Sequence, residues 1–373
     1  MTVSTRVRAK TRPAALFSWL SLIAAVPVAV LSAFRAVPAE WPVLVVQLLS
    51  FTPWLALPAA VSLLLALLGR RRWQQVVAAL LLGCQAFWLF PLDASRPAAD
   101  MTGASVELKA MTINSEYGQA DAAGIVRLVR EKGVGLLTVQ EHSQDLQDRL
   151  SAEGLDVLLP HRISDPTDDA AGSAVYSLFP LEQVGLIPDT PFKMPTVRLT
   201  ARHGSSIAVL EVTNVHTLPP VDHRVEQWRS DLAALGRSAE RPGNRLLIGD
   251  FNATFDHPEF RELLAAGHPG DASPGGNQSG LVDVGVAAGS RLVPTWPMEG
   301  LMLPGIAIDH LVTSPGVGSS GYEIHPVEGT DHAAVLATLA IPATRPALAH
   351  VSPTQPLRII LWLAAWATGL ITI

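Results

Sequence analysis

The stretch RLLIGDFNAT (residues 245–254) runs an apolar segment straight into two polar side chains. Leu246, Leu247 and Ile248 read as a short strand buried on both faces. Asp250 and Asn252 follow at once, and a packed core would reject both. Along a strand, residues i and i+2 point to the same face, so the carboxylate and the amide project together from the strand's end. Ligand sites in layered folds lie at such ends. An Asx turn accounts for the same letters locally, so recurrence has to decide.

The pattern recurs. MTIN (111–114) is followed by Glu116, LLTVQE (136–141) ends in Glu141, and VTNVH (212–216) ends in His216. AIDH (307–310) carries Asp309, and GTDH (329–332) carries Asp331 and His332. Polar endings on so many apolar segments point to convergence on one site. Strands are expected at 106–113, 134–139, 173–178, 207–215, 246–248, 306–312 and 333–339. Helices are expected after Asp121, with Ile125, Leu128 and Val129 on one face and Gly133 as the stop, and over 222–239. Many strands with few helices indicate two packed sheets with helices outside. Residues 267–280 read as a long glycine-rich loop.

These motifs, in this order over roughly residues 105–341, resemble the endonuclease/exonuclease/phosphatase superfamily. The resemblance implies an α+β fold, a four-layer αββα sandwich, and hydrolysis of a phosphate ester or anhydride with Mg²⁺, or Mn²⁺ in its place. It implies Glu141 as the principal metal ligand, assisted by Asn114, Glu116 and Asp331. Glu116 stands where many members have Asp, which lengthens its reach. Asp250 resembles the residue that aligns or deprotonates the attacking water, with Asn252 fixing phosphate or water. His332, oriented by Asp309, would stabilise the pentavalent phosphorus as imidazolium, and His216 would stabilise the transition state or protonate the leaving oxygen. His142, His223 and His257 match no motif position and read as loop or surface residues. His310 points to the opposite strand face from Asp309 and reads as structural, and Trp296 reads as core or pocket mouth.

Composition adds an anchor. Of 373 residues, 49% are hydrophobic, and the excess lies at the front. Residues 14–34, 43–68 and 73–92 are apolar stretches near the ~20 residues a bilayer requires. They define a membrane anchor over 1–92, a linker at 93–104, the catalytic domain at 105–341, and a tail at 342–373 whose apolar end suggests membrane contact. Arg6, Arg8, Lys10 and Arg12 precede the first stretch and Arg70, Arg71 and Arg72 separate the second from the third. The positive-inside rule then puts these on the cytoplasmic side and the catalytic domain outside. The single cysteine, Cys84, falls in the third stretch, so the outer domain holds no disulfide.

Residues 104–341 contain 16 basic and 30 acidic side chains, a net charge of −14. Nucleic-acid binding draws on basic side chains, so this balance argues against long duplex DNA. An anchored acidic domain favours a phosphate-bearing envelope lipid as substrate. Several spans before such a domain resemble the membrane proteins of teicoplanin-type glycopeptide resistance. An extracellular nuclease and a catalytically inactive binding module are the alternative readings. A reporter fused after Pro97 should be active only on the outer side of the membrane; activity confined to the cytoplasm contradicts the orientation.

Overall fold

A computed structural model describes residues 12–90, 104–267, 280–300 and 304–343. The expected linker up to residue 103, the glycine-rich loop at 268–279 and the tail from residue 344 lie outside these. Twelve strands pair into two mixed sheets of six. The first runs, edge to edge, β11 (Gly318–Pro326), β12 (Ala333–Pro342), β1 (Ser105–Asn114), β2 (Leu136–Gln140), β4 (Ser173–Ser177) and β3 (His161–Asp165). The second runs β5 (Leu181–Leu186), β6 (Pro195–His203), β7 (Ser206–His216), β8 (Arg245–Asp250), β10 (Asp309–Thr313) and β9 (Val282–Asp283). In each sheet one central pair is parallel, β1 with β2 and β7 with β8, and the other pairs are antiparallel.

The sheets face each other across one core and turn a second face to helices. Leu246 and Ile248 enter the inter-sheet core with Leu136, Leu210, Leu311 and Val335. Leu247, pointing the other way, packs with Trp228 and Leu235 of α8 (Arg224–Ala239) and Phe260 of α9 (Pro258–Ala265). That alternation is why the strand is apolar on both faces. On the first sheet, Met111 and Val139 pack with Ile125 and Val129 of α5 (Ala122–Lys132) and Leu146 of α6 (Gln144–Ala152). Asp121 caps α5 by accepting from Ala123 and Gly124 N–H, and Gly133 ends it at φ 65°. Two short helices, α7 (Leu155–Leu158) and α10 (Val284–Ala287), complete the domain, which is a helix–sheet–sheet–helix sandwich.

One end of the sandwich collects the polar residues. β1, β2, β7 and β8 finish there, whereas β10 and β12 start there, because they run antiparallel to β8 and β1. Asp309 therefore opens its strand rather than closing one. The strand expected at 306–312 begins three residues later than the sequence suggested, leaving Ile306 in an isolated bridge with Trp296.

The N-terminal region forms α1 (Arg12–Ala36), α2 (Val43–Leu49), a 3₁₀ turn (Thr52–Leu55), α3 (Ala56–Gly69) and α4 (Arg72–Leu89). The stretch expected to be continuous over 43–68 is broken at Ser50 and Phe51. Pro53 lacks an amide hydrogen and its ring would meet the carbonyl four residues back, which favours a new start here: Pro53 lies in the first turn of the 3₁₀ segment, where a missing N–H costs nothing. Two helical segments, 13–36 and 52–69, are long and apolar enough to cross a bilayer. α4, with Arg72, Gln74 and Gln75 in its first turn, is not among them. The bundle is inside out. Leu16, Ile23, Val26, Val61 and Leu64 face outward, while Ser18, Ser21, Ser62, Gln74 and Gln85 are buried. Ser21 and Ser62 exchange hydroxyl-to-carbonyl hydrogen bonds at 2.9 and 3.0 Å, and Gln85 donates to Ser32 at 2.8 Å. Small polar residues at close helix contacts are what apolar surroundings favour.

The sandwich is clamped to one end of this bundle. Buried Asp256 accepts from Arg35 Nε at 2.7 Å and from Arg291 at 2.9 and 3.0 Å, and Arg35 lies over the Trp88 ring. His257, read from sequence as a surface residue, is buried here. It accepts from Thr254 N–H at Nδ1 and donates Nε2–H to the Val46 carbonyl at 3.0 Å, and burial holds it below the ordinary imidazole value. Arg229 donates to the Trp41 carbonyl and pairs with Glu259. Asp256→Ala leaves two buried cations without their carboxylate and should cost about 3–5 kcal/mol. Thermal unfolding of the full chain in detergent checks this, since a separable tether would show no loss.

Candidate active site

Strand register assembles the site. Asn114 lies opposite Gln140 in the β1–β2 pair, so Glu141 stands one residue beyond it. In the second sheet Asp250 lies between His216 on β7 and Asp309 on β10, directly opposite both. Gly249 must be glycine for this: at φ 145°, a Cβ there would lie 2.0 Å from the Val215 carbonyl oxygen. Four non-glycine residues at the rim, Glu116, Tyr117, Glu141 and Asn252, hold φ between 45° and 56°. Backbone held in that region costs free energy and clusters where geometry serves function.

Asn114 joins the two halves. Its Nδ2 donates to Glu141 Oε1 at 3.2 Å and, across the sandwich, to Asp250 Oδ2 at 3.1 Å. Deeper in, Gln140 donates to Asn214 at 2.5 Å, and Asn214 donates to the carbonyls of Val139 and Ala174. Glu141 Oε2 accepts from the Tyr117 N–H at 2.9 Å. Asp250 accepts from the Asn252 N–H at 2.8 Å, and Asn252 Nδ2 donates to the Thr217 carbonyl at 2.9 Å. Glu116 Oε2 accepts from the Asp331 N–H, and Asp331 Oδ2 accepts from the Trp296 indole at 2.7 Å.

The two histidines differ in charge. His332 Nδ1 lies 3.0 Å from Asp309, and its Nε2 lies 3.8 Å from both Asp250 and Asp331. Burial pushes His332 down, but Asp309 and Asp250 overcome it and hold the ring up at about 10, so it is imidazolium at neutral pH. His216 Nε2 lies 3.7 Å from Glu141 and 3.8 Å from Asp250, and the ring stacks on Phe192 at 4.3 Å. Burial, with the His332 charge beside it, pushes His216 down to about 3. A neutral ring is a weak acid, so protonating a leaving oxygen, one of the roles expected for it, does not suit this residue; donating an N–H does. Burial likewise raises Asp250 and Glu141 above the ordinary carboxylate range.

The donor set fits a hard cation. Glu141, Asp250 and Asp309 bring three carboxylates into one hollow against one imidazolium, and two of them are held above their usual range. Such a deficit of positive charge is what a divalent ion with oxygen ligands relieves. Asp250, Asp309 and His332 also offer atoms within 4.8 Å of one another. Within that trio His332 Nδ1 is engaged by Asp309 at 3.0 Å, and the Glu141 side of the hollow offers further oxygen donors. There Glu141, Asn114 and Asp331 would hold such an ion, and one Glu116 oxygen accepts from the Asp331 N–H.

All nine residues singled out by the sequence therefore line the same end of the sandwich. Phe192, Trp296 and the Gln140–Asn214 bridge also belong to it. Gln140 and Asn214 were visible as amides inside apolar strands, but Phe192 carries no local signal. His142, expected at the surface, is buried against Tyr176 and pushed down to about 4 by burial. His310 is structural as expected, bonded to Asp283 and to the Ala253 carbonyl.

A family model described as Endonuclease/Exonuclease/phosphatase family matches residues 111–332. Among solved structures, an AP endonuclease from Archaeoglobus fulgidus is 14% identical with a TM-score of 0.47, covering 62% of this chain and 98% of that one. A 3′ phosphatase from Neisseria bound to product DNA hairpin is 18% identical with a TM-score of 0.45, covering 62% and 98%. An endonuclease/exonuclease/phosphatase from Beutenbergia cavernae is 17% identical with a TM-score of 0.43, covering 65% and 73%. No curated protein matches.

Metal binding can be read without turnover. Mg²⁺ at ~100 times its Kd should stabilise the wild-type protein by ~2.7 kcal/mol. Glu141→Gln should abolish that gain. A carboxyl whose folded pKa is raised costs stability once pH exceeds its unfolded value of ~4.3. Metal-free Glu141→Gln should therefore melt no lower than metal-free wild type at pH 7, and a lower melting temperature would contradict the account.

Proposed function

The chain belongs to the endonuclease/exonuclease/phosphatase family, whose members are metal-dependent phosphoesterases, and from that premise we propose that it is a membrane-anchored, outward-facing phosphohydrolase acting on a cell-envelope lipid phosphate or pyrophosphate. The observation that carries the choice of substrate is the seat of the catalytic domain on the end of an inside-out helical bundle. Ser21 meets Ser62, Ser18 meets Gly69, and Ser32 meets Gln85. α1 and α4 thus end together, while the α3–α4 turn with Arg70, Arg71 and Arg72 lies at the opposite end. Arg35, Trp54 and Trp88, which touch the catalytic domain, share the first end. The positive-inside rule puts the arginine turn in the cytoplasm and the catalytic domain outside, close to the headgroups.

The residues divide the work of moving a phosphoryl group to water. Glu141, with Asn114 and Asp331, would hold the divalent ion, which when bound supplies charge neutralisation for the phosphate. Asp250 is fixed by hydrogen bonds from Asn114 and Asn252, which leave its carboxylate aimed into the hollow. Its raised pKa makes it a better base for a water proton than an exposed aspartate. His332, kept charged and oriented by Asp309, presents Nε2–H to the oxygens that gain negative charge at phosphorus. Neutral His216, held flat by Phe192, offers a second donor from the other side. Asn252 supports Asp250 and the Thr217 loop at once.

Asp250→Ala and His332→Ala should each lower kcat by about 10²–10⁴-fold with the fold intact by circular dichroism. The pH profile follows from the signs. The rate should rise once Asp250 loses its proton, above the ordinary carboxylate range, and fall as His332 loses its own toward about 10. Asp309→Asn should move the alkaline limb down toward ~6.5, the unperturbed imidazole value. In a direct comparison with Mg²⁺ and with EDTA, polyprenyl pyrophosphate should be hydrolysed only with Mg²⁺. Efficient plasmid nicking without lipid dephosphorylation would overturn the lipid reading in favour of a nuclease.

A further inference from the structure

A cavity of about 280 Å³ opens where the helical bundle meets the catalytic domain. Trp54 and Leu57 form its bundle side, and Phe255, Leu292 and Ile306 its domain side. Its charged wall residues are already matched: Arg291 with Asp256 and His310 with Asp283. The rest of the lining is mainly apolar, with the hydroxyls of Ser50, Thr254, Ser290 and Tyr322 among it. The volume is about twice that of the ~150 Å³ engineered cavity that accepts a benzene-sized guest.

Two features of the surroundings say what fits. Leu57, Val61, Leu64 and Leu68 recur at intervals of four, three and four along the helix, so they form one stripe. All four are exposed, between 47% and 62%. The stripe runs up a candidate membrane span and ends at the cavity mouth. On the other side, Ile306 bridges to Trp296, whose indole holds Asp331 in the active site. The exposed stripe therefore leads from the surface the bilayer would cover to the cavity, and Ile306 in the cavity wall is bridged to Trp296 at the catalytic rim. We infer that this cavity receives the hydrocarbon chain of a membrane lipid phosphate, leaving its phosphate at Asp250 and His332. The inference rests on the proposed phosphohydrolase activity and adds the subsite that selects long-chain substrates. Trp54, donating its indole N–H to the Gly305 carbonyl at 3.0 Å, ties the mouth of the cavity to the catalytic domain.

Two measurements on the full-length protein in lipid nanodiscs test this. The first uses long-chain and short-chain prenyl pyrophosphates with the same head group. Leu57→Trp and Leu292→Trp, both at exposed positions, should fill the cavity and lower the long-over-short ratio of kcat/KM by about tenfold, the effect of losing contact with two methylenes. An unchanged ratio in both variants overturns the subsite. The second is independent of catalysis: a prenyl pyrophosphate with a diazirine in its chain, photolysed in EDTA, should label peptides containing Leu57 or Leu292. Unlabelled long-chain pyrophosphate should compete for that label. Labelling confined to other surfaces, or insensitive to the competitor, overturns the inference. If wild type hydrolyses neither ester while the cavity labels specifically, the catalytic reading fails and the binding subsite stands.

Discussion

One amide side chain holds the functional end of the molecule together. Asn114, at the close of a strand in the first sheet, donates from a single nitrogen to Glu141 beside it and to Asp250 in the opposite sheet. Without a donor between them, two buried carboxylates would repel each other across the sandwich. The Gln140–Asn214 bridge repeats the device one layer deeper, where the apolar inter-sheet core gives way to polar side chains. The sandwich is thus closed by packing through its body and by hydrogen bonds at the end where packing must stop.

That closure dictates the electrostatics. Burial that stabilises the sheets also desolvates the groups at their ends, raising Asp250 and Glu141 and lowering His216. His332 is driven the other way, because Asp309 touches it directly. The outcome is a hollow with two histidines in opposite charge states and more carboxylate than its fixed cation can balance. A divalent ion and a phosphate complete such a hollow in opposite senses, the first supplying the missing charge and the second using it.

The helical region is part of this architecture and not a loose leash. Asp256, four residues after Asn252 in the same loop, is gripped by Arg35 from α1 and by Arg291. The loop that carries Asn252 is therefore braced against the end of the bundle. Its position relative to the helices is set by buried ion pairs and by His257, rather than by the length of the connecting chain.

The sequence by itself determined the elements whose signal is local. Apolar runs closed by Glu141, His216 and Asp250 announced the central strands, because a central strand is apolar on both faces. Asp121 and Gly133 bounded α5 through capping chemistry. β3, β5, β9 and β11 were not legible, since edge strands are short or half exposed and lack a clean alternation, whereas β6, with Val197, Leu199 and Ala201 alternating with Arg198, Thr200 and Arg202, was legible and missed. The break at Pro53 was readable in principle, yet the apolar composition on both sides concealed it. Tertiary structure alone decided that His257 and His142 are buried, that Phe192 backs His216, and that the domain docks on the bundle. Each of these depends on which distant segments meet, and a residue's letter does not encode the neighbour it acquires from far along the chain. Charge states were decided the same way: His216 and His332 are the same side chain, separated in protonation by whether a carboxylate bonds the ring or merely lies nearby.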